Sequence, residues 1–260
     1  MIKTLNLIAA ILHGTQALVV TALIIWIKPK GMFDSKFALV RNVPVWSAQG
    51  EQSMTQLASG TFDVSFAIIA FFTLSALFQG AASIWFDGRP GPVFHYMEYS
   101  LSASTLVCVI AVEAGIRDAY TVEMQFVLMF ATMVIGIAAE LVQTPDQPFI
   151  PCIPLHLAGW VTCLASYVPA MDMYIQSTRL SAMHPPDFVS ALIIVELLLF
   201  VSFGFVQTYM LVSRAYLYMQ RNRLHPELAN IEDHAELAFI VLSLSAKTVL
   251  CWIVLSPILF

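Results

Sequence analysis

The sequence predicts an all-α membrane protein, a bundle of seven transmembrane helices with a short β-hairpin in its first long loop. Hydrophobic residues make up 59% of the 260 residues and charged residues only 11%, whereas a soluble domain is about 45–50% apolar and about 25% charged. The mean hydropathy is +0.79. Long apolar runs, separated by charged residues, proline and glycine, recur along the chain, which favours spanning helices.

Seven of these runs are long enough to cross a bilayer as a helix, which takes about 20 mostly apolar residues. They lack the period-2 alternation of membrane β-barrel strands, so helices are favoured. The apolar part of the first run is too long for a signal peptide and lacks a cleavage pattern. We predict one domain, residues 1–260, with helices at 5–27, 61–86, 93–116, 121–143, 155–175, 188–219 and 236–259.

The longest segment outside these helices, residues 28–60, contains the β-prone runs "FALV" and "VPVW". Such runs predict a small hairpin or strand pair. Lysine and arginine are almost evenly divided between the two sides of the predicted bundle, so charge alone leaves its orientation open.

Two classes of partner or site are disfavoured by composition. A net charge of −5 offers no basic surface for nucleic acid. The four cysteines (Cys108, Cys152, Cys163 and Cys251) show neither metal-ligand nor redox spacing. They are interpreted as buried small hydrophobic residues, without a disulfide framework or a metal site.

A single lysine interrupts the last apolar run. Lys247 lies in "LSLSAKTVL", and an ammonium at the centre of a bilayer costs about 3 kcal/mol even on the lenient insertion scale. More than ten mostly apolar residues on either side exclude snorkelling to an interface. Two interpretations stay open, a structural ion pair or a lysine that loses its proton and forms a Schiff base with a carbonyl compound.

The natural partner of Lys247 is Glu98, which lies in "HYMEYSLSAS" inside the third predicted helix. Ser102 continues the same helical face one turn later. Ser243, one turn before Lys247, either bonds to a helix carbonyl or holds the Schiff base or its counterion. Seven helices with a lysine in the middle of the last and a carboxylate in the third indicate a retinal protein.

The local sequences resemble heliorhodopsins, through "EYSLSAS" at Glu98 and "FIVLSLSAKTVLCW" at Lys247. Weaker resemblance in "AAILHGTQAL", "TLSALFQG" and "PDFVSALIIVELLLFVSFGFVQ" extends it to nearly the whole chain. The resemblance implies a rhodopsin-type bundle and a photoreceptor rather than an enzyme, with no catalytic residues. It implies all-trans retinal on Lys247, isomerised by light to 13-cis, and Glu98 as the main counterion.

The resemblance also implies an orientation and partners. The N-terminus would be cytoplasmic and the C-terminus extracellular, with loop 28–60 outside, where the family forms a dimer contact. The expected partners are membrane lipid, a second copy of the chain and a cytoplasmic signalling protein.

Further site residues follow from the resemblance. His13 and Gln16 match polar residues in a cavity on the cytoplasmic side, where Gln79 replaces a second histidine of the family and His95 replaces a common arginine. Positions that fit retinal-lining residues, and equally fit plain core packing, are Met133, Phe203 and Trp252.

The sequence departs most from the family at Glu196, in "LIIVELLLF", where the residue is usually neutral. It is either a protonated, hydrogen-bonded core acid or part of a proton path that also includes Glu113, since intramembrane acids relay protons. Two functions stay open, a photoreceptor that passively conducts protons and a pure sensor that acts on a partner through loops such as residues 221–234. A transporter or intramembrane enzyme without a chromophore has no supporting motif.

Overall fold

The computed structural model describes residues 1–27, 35–143, 152–180, 186–219 and 226–259. Within them the chain forms seven helices and one two-stranded antiparallel sheet, which confirms the predicted fold class. In chain order these are α1 (Ile2–Ile27), β1 (Lys36–Trp46), β2 (Gln52–Asp63), α2 (Val64–Trp85), α3 (Pro92–Glu113), α4 (Ala119–Val142), α5 (Cys152–Leu180), α6 (Asp187–Met219) and α7 (Pro226–Leu259).

Six helices in the described ranges, all except α3, are long and apolar enough to cross a membrane. The third helix is less apolar because it lies in the middle of the bundle, against α2, α4, α5, α6 and α7, and carries buried polar side chains. Its 22 residues extend about 33 Å at 1.5 Å per residue, enough for the hydrocarbon layer. The chain is therefore an integral membrane protein that crosses the bilayer several times.

Side-chain caps and proline fix where several helices begin. Asp63 accepts hydrogen bonds from the backbone N–H groups of Ser65 and Phe66 at the start of α2, and Asp118 accepts one from Thr121 at the start of α4. Pro92 occupies the first turn of α3, where its missing N–H costs no hydrogen bond. These local signals explain why the predicted starts of these three helices differ little from the observed ones.

The hairpin is longer than the sequence predicted. Both β-prone runs, "FALV" and "VPVW", lie on β1, and the partner strand is β2, with a bulge opposite Leu39 and Val40. Most side chains of β2 are exposed, so it lacks the hydrophobic alternation that marks a strand in sequence. Cross-strand pairing, rather than the composition of β2, holds it extended. Residues 28–34 of the predicted loop lie outside the described part.

The hairpin packs on the turn between α3 and α4. The N–H of Val40 donates to the carbonyl of Arg117 (2.9 Å), and the Arg117 guanidinium lies 4.4 Å from the centre of the Phe37 ring. Arg41 forms an ion pair with Glu123 on α4. The hairpin therefore lies at the end of the bundle opposite the N-terminus.

Contacts at the N-terminal end connect α1, the α2–α3 turn and α7. Lys3 pairs with Asp87 (2.8 Å) and its hydrogen bond lowers the pKa of that carboxyl. Arg89 pairs with Asp233 of α7 (2.8 Å). Asp87 itself has a φ of 53°, a left-handed conformation that aspartate tolerates better than most residues.

The start of α7 corrects the prediction, because the helix begins at Pro226 and not at Glu236. The charged residues that were taken as a break form ion pairs with other parts of the bundle. Asp233 pairs with Arg89, Glu232 with Arg214 and Glu236 with His95. Residues 226–234 of the loop proposed for signalling are thus helical, and residues 221–225 lie outside the described part.

Candidate functional site

A lysine and a carboxylate meet in the interior of the bundle. Lys247 of α7 places its Nζ 2.5 Å from Oε1 of Glu98 on α3, and the two residues are only 3% and 1% exposed. Taking two charges out of water is costly, and removing one partner of a buried pair costs about 3–5 kcal/mol. The pair is consistent with both interpretations of Lys247 that the sequence left open.

Two serines complete the hydrogen bonding of this pair. The Nζ of Lys247 donates to Oγ of Ser243 one turn earlier (2.8 Å), so Ser243 faces the lysine. Oγ of Ser75 on α2 lies 2.6 Å from Oε1 of Glu98. Sequence reasoning missed Ser75, because a serine inside an apolar helix usually bonds to a carbonyl one turn back. Ser75 also lies within reach of such a carbonyl, that of Phe71.

An aromatic ring covers the lysine. The Nζ of Lys247 lies 5.1 Å from the centre of the Tyr99 ring, within the range of a cation–π interaction. The Tyr99 hydroxyl donates to the carbonyl of Phe239 (3.2 Å), which fixes the ring between α3 and α7. Tyr99 directly follows Glu98 in "EYSLSAS". This adjacency was the only feature of the sequence that pointed to Tyr99 as a site residue.

Lys247 opens onto an apolar cavity within α3 to α7. About 860 Å³ of its space is free of atoms, part of it open to the outside. The lining comes from all five helices and is mainly aliphatic and aromatic. It consists of Tyr96, Tyr99, Ser102, Ala103, Leu106, Thr132, Met133, Ile135, Gly136, Ala139, Leu155, His156, Gly159, Trp160, Cys163, Phe200, Phe203, Gly204, Gln207, Ser243, Ala246 and Lys247.

The expected lining residues divide into two groups. Ser102, Met133 and Phe203 all face this cavity. Trp252 does not line it and is 39% exposed, because a residue five positions after Lys247 points about 140° away around the helix. The tryptophan that lines the cavity is Trp160 of α5, whose Nε1 donates to Nε2 of His156 (3.0 Å).

Of the four polar residues expected on the N-terminal side, His13, Gln79 and His95 are buried and Gln16 is partly buried. His13 is fully buried against Phe72, and within the described part neither its ring nitrogens nor the amide atoms of Gln79 have a hydrogen-bond partner. Gln16 bonds to Thr248, the residue after Lys247. Buried polar atoms of this kind are usually satisfied by internal water.

His95 has a partner that the sequence did not indicate. Its Nε2 lies 2.7 Å from Oε1 of Glu236 on α7, and both side chains are buried. The His95 ring stacks on Tyr99, with the ring centres 5.9 Å apart. The two residues are 141 positions apart in the chain, so only the packing of α3 against α7 reveals the contact.

The two acids proposed for a proton path lie apart from the lysine–carboxylate pair. Glu196 of α6 is fully buried, and among the described residues neither of its carboxyl oxygens has a hydrogen-bond partner. The hydroxyl of Tyr167 is likewise buried and unpartnered there. Glu113 is the half-buried last residue of α3. Both acids lie toward the hairpin end of the bundle.

Comparison with protein-family models gives a match that covers nearly the whole chain. A family model described as Heliorhodopsin matches residues 2–259 of the 260-residue chain. Among curated proteins no match was found.

Proposed function

The chain belongs to the heliorhodopsin family, a family of retinal-binding photoreceptors of the membrane, and from this premise we propose that Lys247 holds all-trans retinal as a protonated Schiff base with Glu98 as its counterion. The observation that carries the proposal is the 2.5 Å contact between Nζ of Lys247 and Oε1 of Glu98 at one end of the cavity. A Schiff base forms when a lysine amine reacts with a carbonyl compound, and buried lysines commonly serve this chemistry.

The cavity fits an apolar polyene attached to Lys247. Its walls are almost entirely apolar, as expected for a hydrophobic chromophore. Two glycines of the lining, Gly136 and Gly204, leave room for aromatic rings to pack beside the cavity. A Cβ on Gly136 would lie 2.9 Å from the Tyr96 ring, and a Cβ on Gly204 would collide with the Trp160 ring.

Within this proposal each polar residue has a defined task. Retinal supplies the absorption of visible light and the change of shape that follows it. Glu98 balances the positive charge at Nζ of Lys247, and Ser75 holds the carboxylate oxygen that faces the lysine. Ser243 accepts the hydrogen bond from Nζ on the lysine's own helix. Tyr99 covers the charge with its ring face.

The first test is the absorption spectrum of the full-length protein after addition of all-trans retinal. We expect a visible band, which free retinal lacks, because a protonated Schiff base absorbs at longer wavelength than the aldehyde. Lys247→Ala is expected to abolish the band, whereas Lys3→Ala, which changes an exposed lysine, is expected to keep it. A visible band in Lys247→Ala would contradict the proposal.

A second function, passive proton conduction in the light, is supported by Glu196. A carboxyl group with no polar partner among the described residues is costly in an apolar interior, and intramembrane acids of this kind commonly lie on proton pathways. Glu196 and Glu113 would serve the hairpin end of this path, and Glu98 the N-terminal end.

Photocurrents recorded at several voltages and pH values test this second function. We expect currents that reverse with the proton gradient, and a strong reduction in Glu196→Gln. Asp172→Asn is the matched control, because Asp172 is an exposed acid on the neighbouring helix α5. Wild-type protein with a photocycle and no current would instead be a pure light sensor that acts on a partner protein.

The orientation and the dimer belong to the same proposal. Family resemblance supports a cytoplasmic N-terminus and an extracellular hairpin, with a second copy of the chain packed on the hairpin. The hairpin is held against the α3–α4 turn and exposes apolar side chains, including Val45, Trp46, Met54 and Leu57. Such a surface suits a protein contact.

A further inference from the structure

The buried His95–Glu236 pair lies one helical turn from the proposed counterion. His95 and Glu98 are three residues apart on α3, so their side chains lie on neighbouring parts of one helical face. Glu236 belongs to α7, like Lys247. The order Lys247, Glu98, His95, Glu236 therefore leads from the bundle interior toward the N-terminal side.

The His95–Glu236 pair lies close to a polar surface of the bundle. Asp233, one turn before Glu236 on α7, forms an ion pair with Arg89 (2.8 Å between Nε and Oδ1), and the Arg89 side chain is largely exposed. A proton that reaches His95 or Glu236 is thus one helical turn from groups in contact with water.

The ring of His95 is oriented to take up a proton. Its Nε2 faces Oε1 of Glu236 at 2.7 Å, so opposite an ionised carboxylate we expect the neutral ring to carry its hydrogen on Nε2 and to keep the lone pair on Nδ1. The hydrogen bond found for this ring among the described residues is the one at Nε2. When Nδ1 is protonated, the resulting imidazolium keeps a charge-assisted hydrogen bond to Glu236.

The charged and titratable groups around His95 favour this role. Glu236 approaches from α7, and Tyr96, Glu98 and Tyr99 flank it on α3. Two carboxylates, Glu236 across the helix contact and Glu98 one turn away, therefore lie near the ring. His13, the other buried histidine near the lysine, packs against Phe72 and has no carboxylate partner among the described residues, so a charge there would be less stable.

We propose that His95, oriented by Glu236, is the residue that accepts the proton leaving Lys247 after illumination. The inference rests on the proposed function, since it needs a protonated nitrogen at Lys247. The N–H bond at Nζ breaks as an O–H bond forms on Glu98. That O–H bond then breaks as an N–H bond forms at Nδ1 of His95. The total charge of Lys247, Glu98 and His95 is unchanged.

The test is light-induced infrared difference spectroscopy on full-length protein loaded with all-trans retinal and containing isotope-labelled histidine. We expect a labelled imidazolium signal in wild type that is lost in His95→Gln and reduced in Glu236→Gln. It should persist in His234→Gln, an exposed histidine on α7. Loss of the proton from Lys247 in His95→Gln should slow about a hundredfold, the low end of what a positioned proton-transfer group contributes.

A second readout needs no chromophore. Nitrogen NMR of the labelled retinal-free protein is expected to show the His95 hydrogen on Nε2, whereas a hydrogen on Nδ1 would overturn the assignment. So would a wild-type sample without an imidazolium signal, or a signal that survives in His95→Gln and disappears in His13→Gln. If the visible band is normal, these outcomes overturn only the assignment of His95 as proton acceptor. If wild type shows no visible band, the proposed retinal-binding function is overturned as well.

Discussion

Ser75 of α2 lies 2.6 Å from the same carboxylate oxygen of Glu98 that accepts the hydrogen bond of Lys247. Three helices, α2, α3 and α7, therefore meet at one oxygen atom. Oε2 of Glu98 has no such partner within the described part of the chain. The negative charge of the proposed counterion is thus held toward the lysine.

Removing the hydroxyl of Ser75 tests this arrangement. In Ser75→Ala, Glu98 loses a hydrogen bond that delocalises its charge, so we expect the visible band to move to shorter wavelength. A hydrogen bond to a charged group contributes about 1.5–3 kcal/mol, and the free energy of unfolding should fall by a similar amount. Thr73→Ala is the control, because Thr73 is on the same helix and, among the described residues, its hydroxyl bonds to the carbonyl of Ile69 alone. An equal effect in both variants would contradict the arrangement.

Replacing Glu98 with glutamine removes the counterion's charge and keeps its size. We expect the visible band at neutral pH to give way largely to a near-ultraviolet band, because a buried cation without a partner loses its proton. Absorption spectra of Glu98→Gln and Asp172→Asn, side by side, measure this. If Glu98→Gln kept the wild-type band, another group would have to be the counterion.

The cavity can be narrowed at a glycine. In Gly136→Ala the new Cβ would lie 2.9 Å from the Tyr96 ring, so the ring must shift. Because both residues line the cavity, we expect less bound retinal. Gly14→Ala is the control, because its Cβ would meet only Ala76 at 3.9 Å. Alanine favours a helix over glycine by about 1 kcal/mol, so this control should be at least as stable as wild type. Equal retinal occupancy in both variants would count against the assigned cavity.

A partly buried ion pair links the cavity wall to the N-terminal side. Arg214 of α6 lies 2.7 Å from Glu140 of α4, and Gln207, which lines the cavity, donates to the other oxygen of Glu140 (2.7 Å). We expect Arg214→Met to destabilise the protein by about 3 kcal/mol, the low end for a buried pair, because it leaves a largely buried carboxylate without its cation.

Adding Glu140→Gln to Arg214→Met should restore part of this loss, since the unpaired charge is then gone. Thermal unfolding of the single and double variants gives the coupling free energy between Arg214 and Glu140. Arg89→Met is the control, because its ion pair is exposed and such pairs contribute little. A double variant less stable than the sum of the two single changes would contradict this explanation.

Charges inside apolar runs were the most informative part of the sequence. Lys247 and Glu98 stand out because burial of a charge is costly, and the cost itself predicts a partner. The number of helices follows from the lengths of the apolar runs. These features are local, so sequence alone was enough to identify them.

Contacts between distant helices were beyond sequence reasoning. Ser75 resembles any serine that bonds to its own helix, and Glu236 resembled the polar end of a span until α7 proved to begin at Pro226. Trp252 was placed at a retinal-lining or plain core position by the resemblance to heliorhodopsins. The rotation of α7 directs it elsewhere, and Trp160 from α5 lines the cavity instead.

The central claim, a covalent bond between retinal and Lys247, is tested most directly by trapping that bond. The full-length protein is loaded with all-trans retinal, reduced with borohydride, digested and analysed by mass spectrometry. We expect a retinyl group on the peptide that contains Lys247 and on none of the other lysine peptides. A retinyl group on another lysine, or none on Lys247 in protein that shows a visible band, would contradict the account.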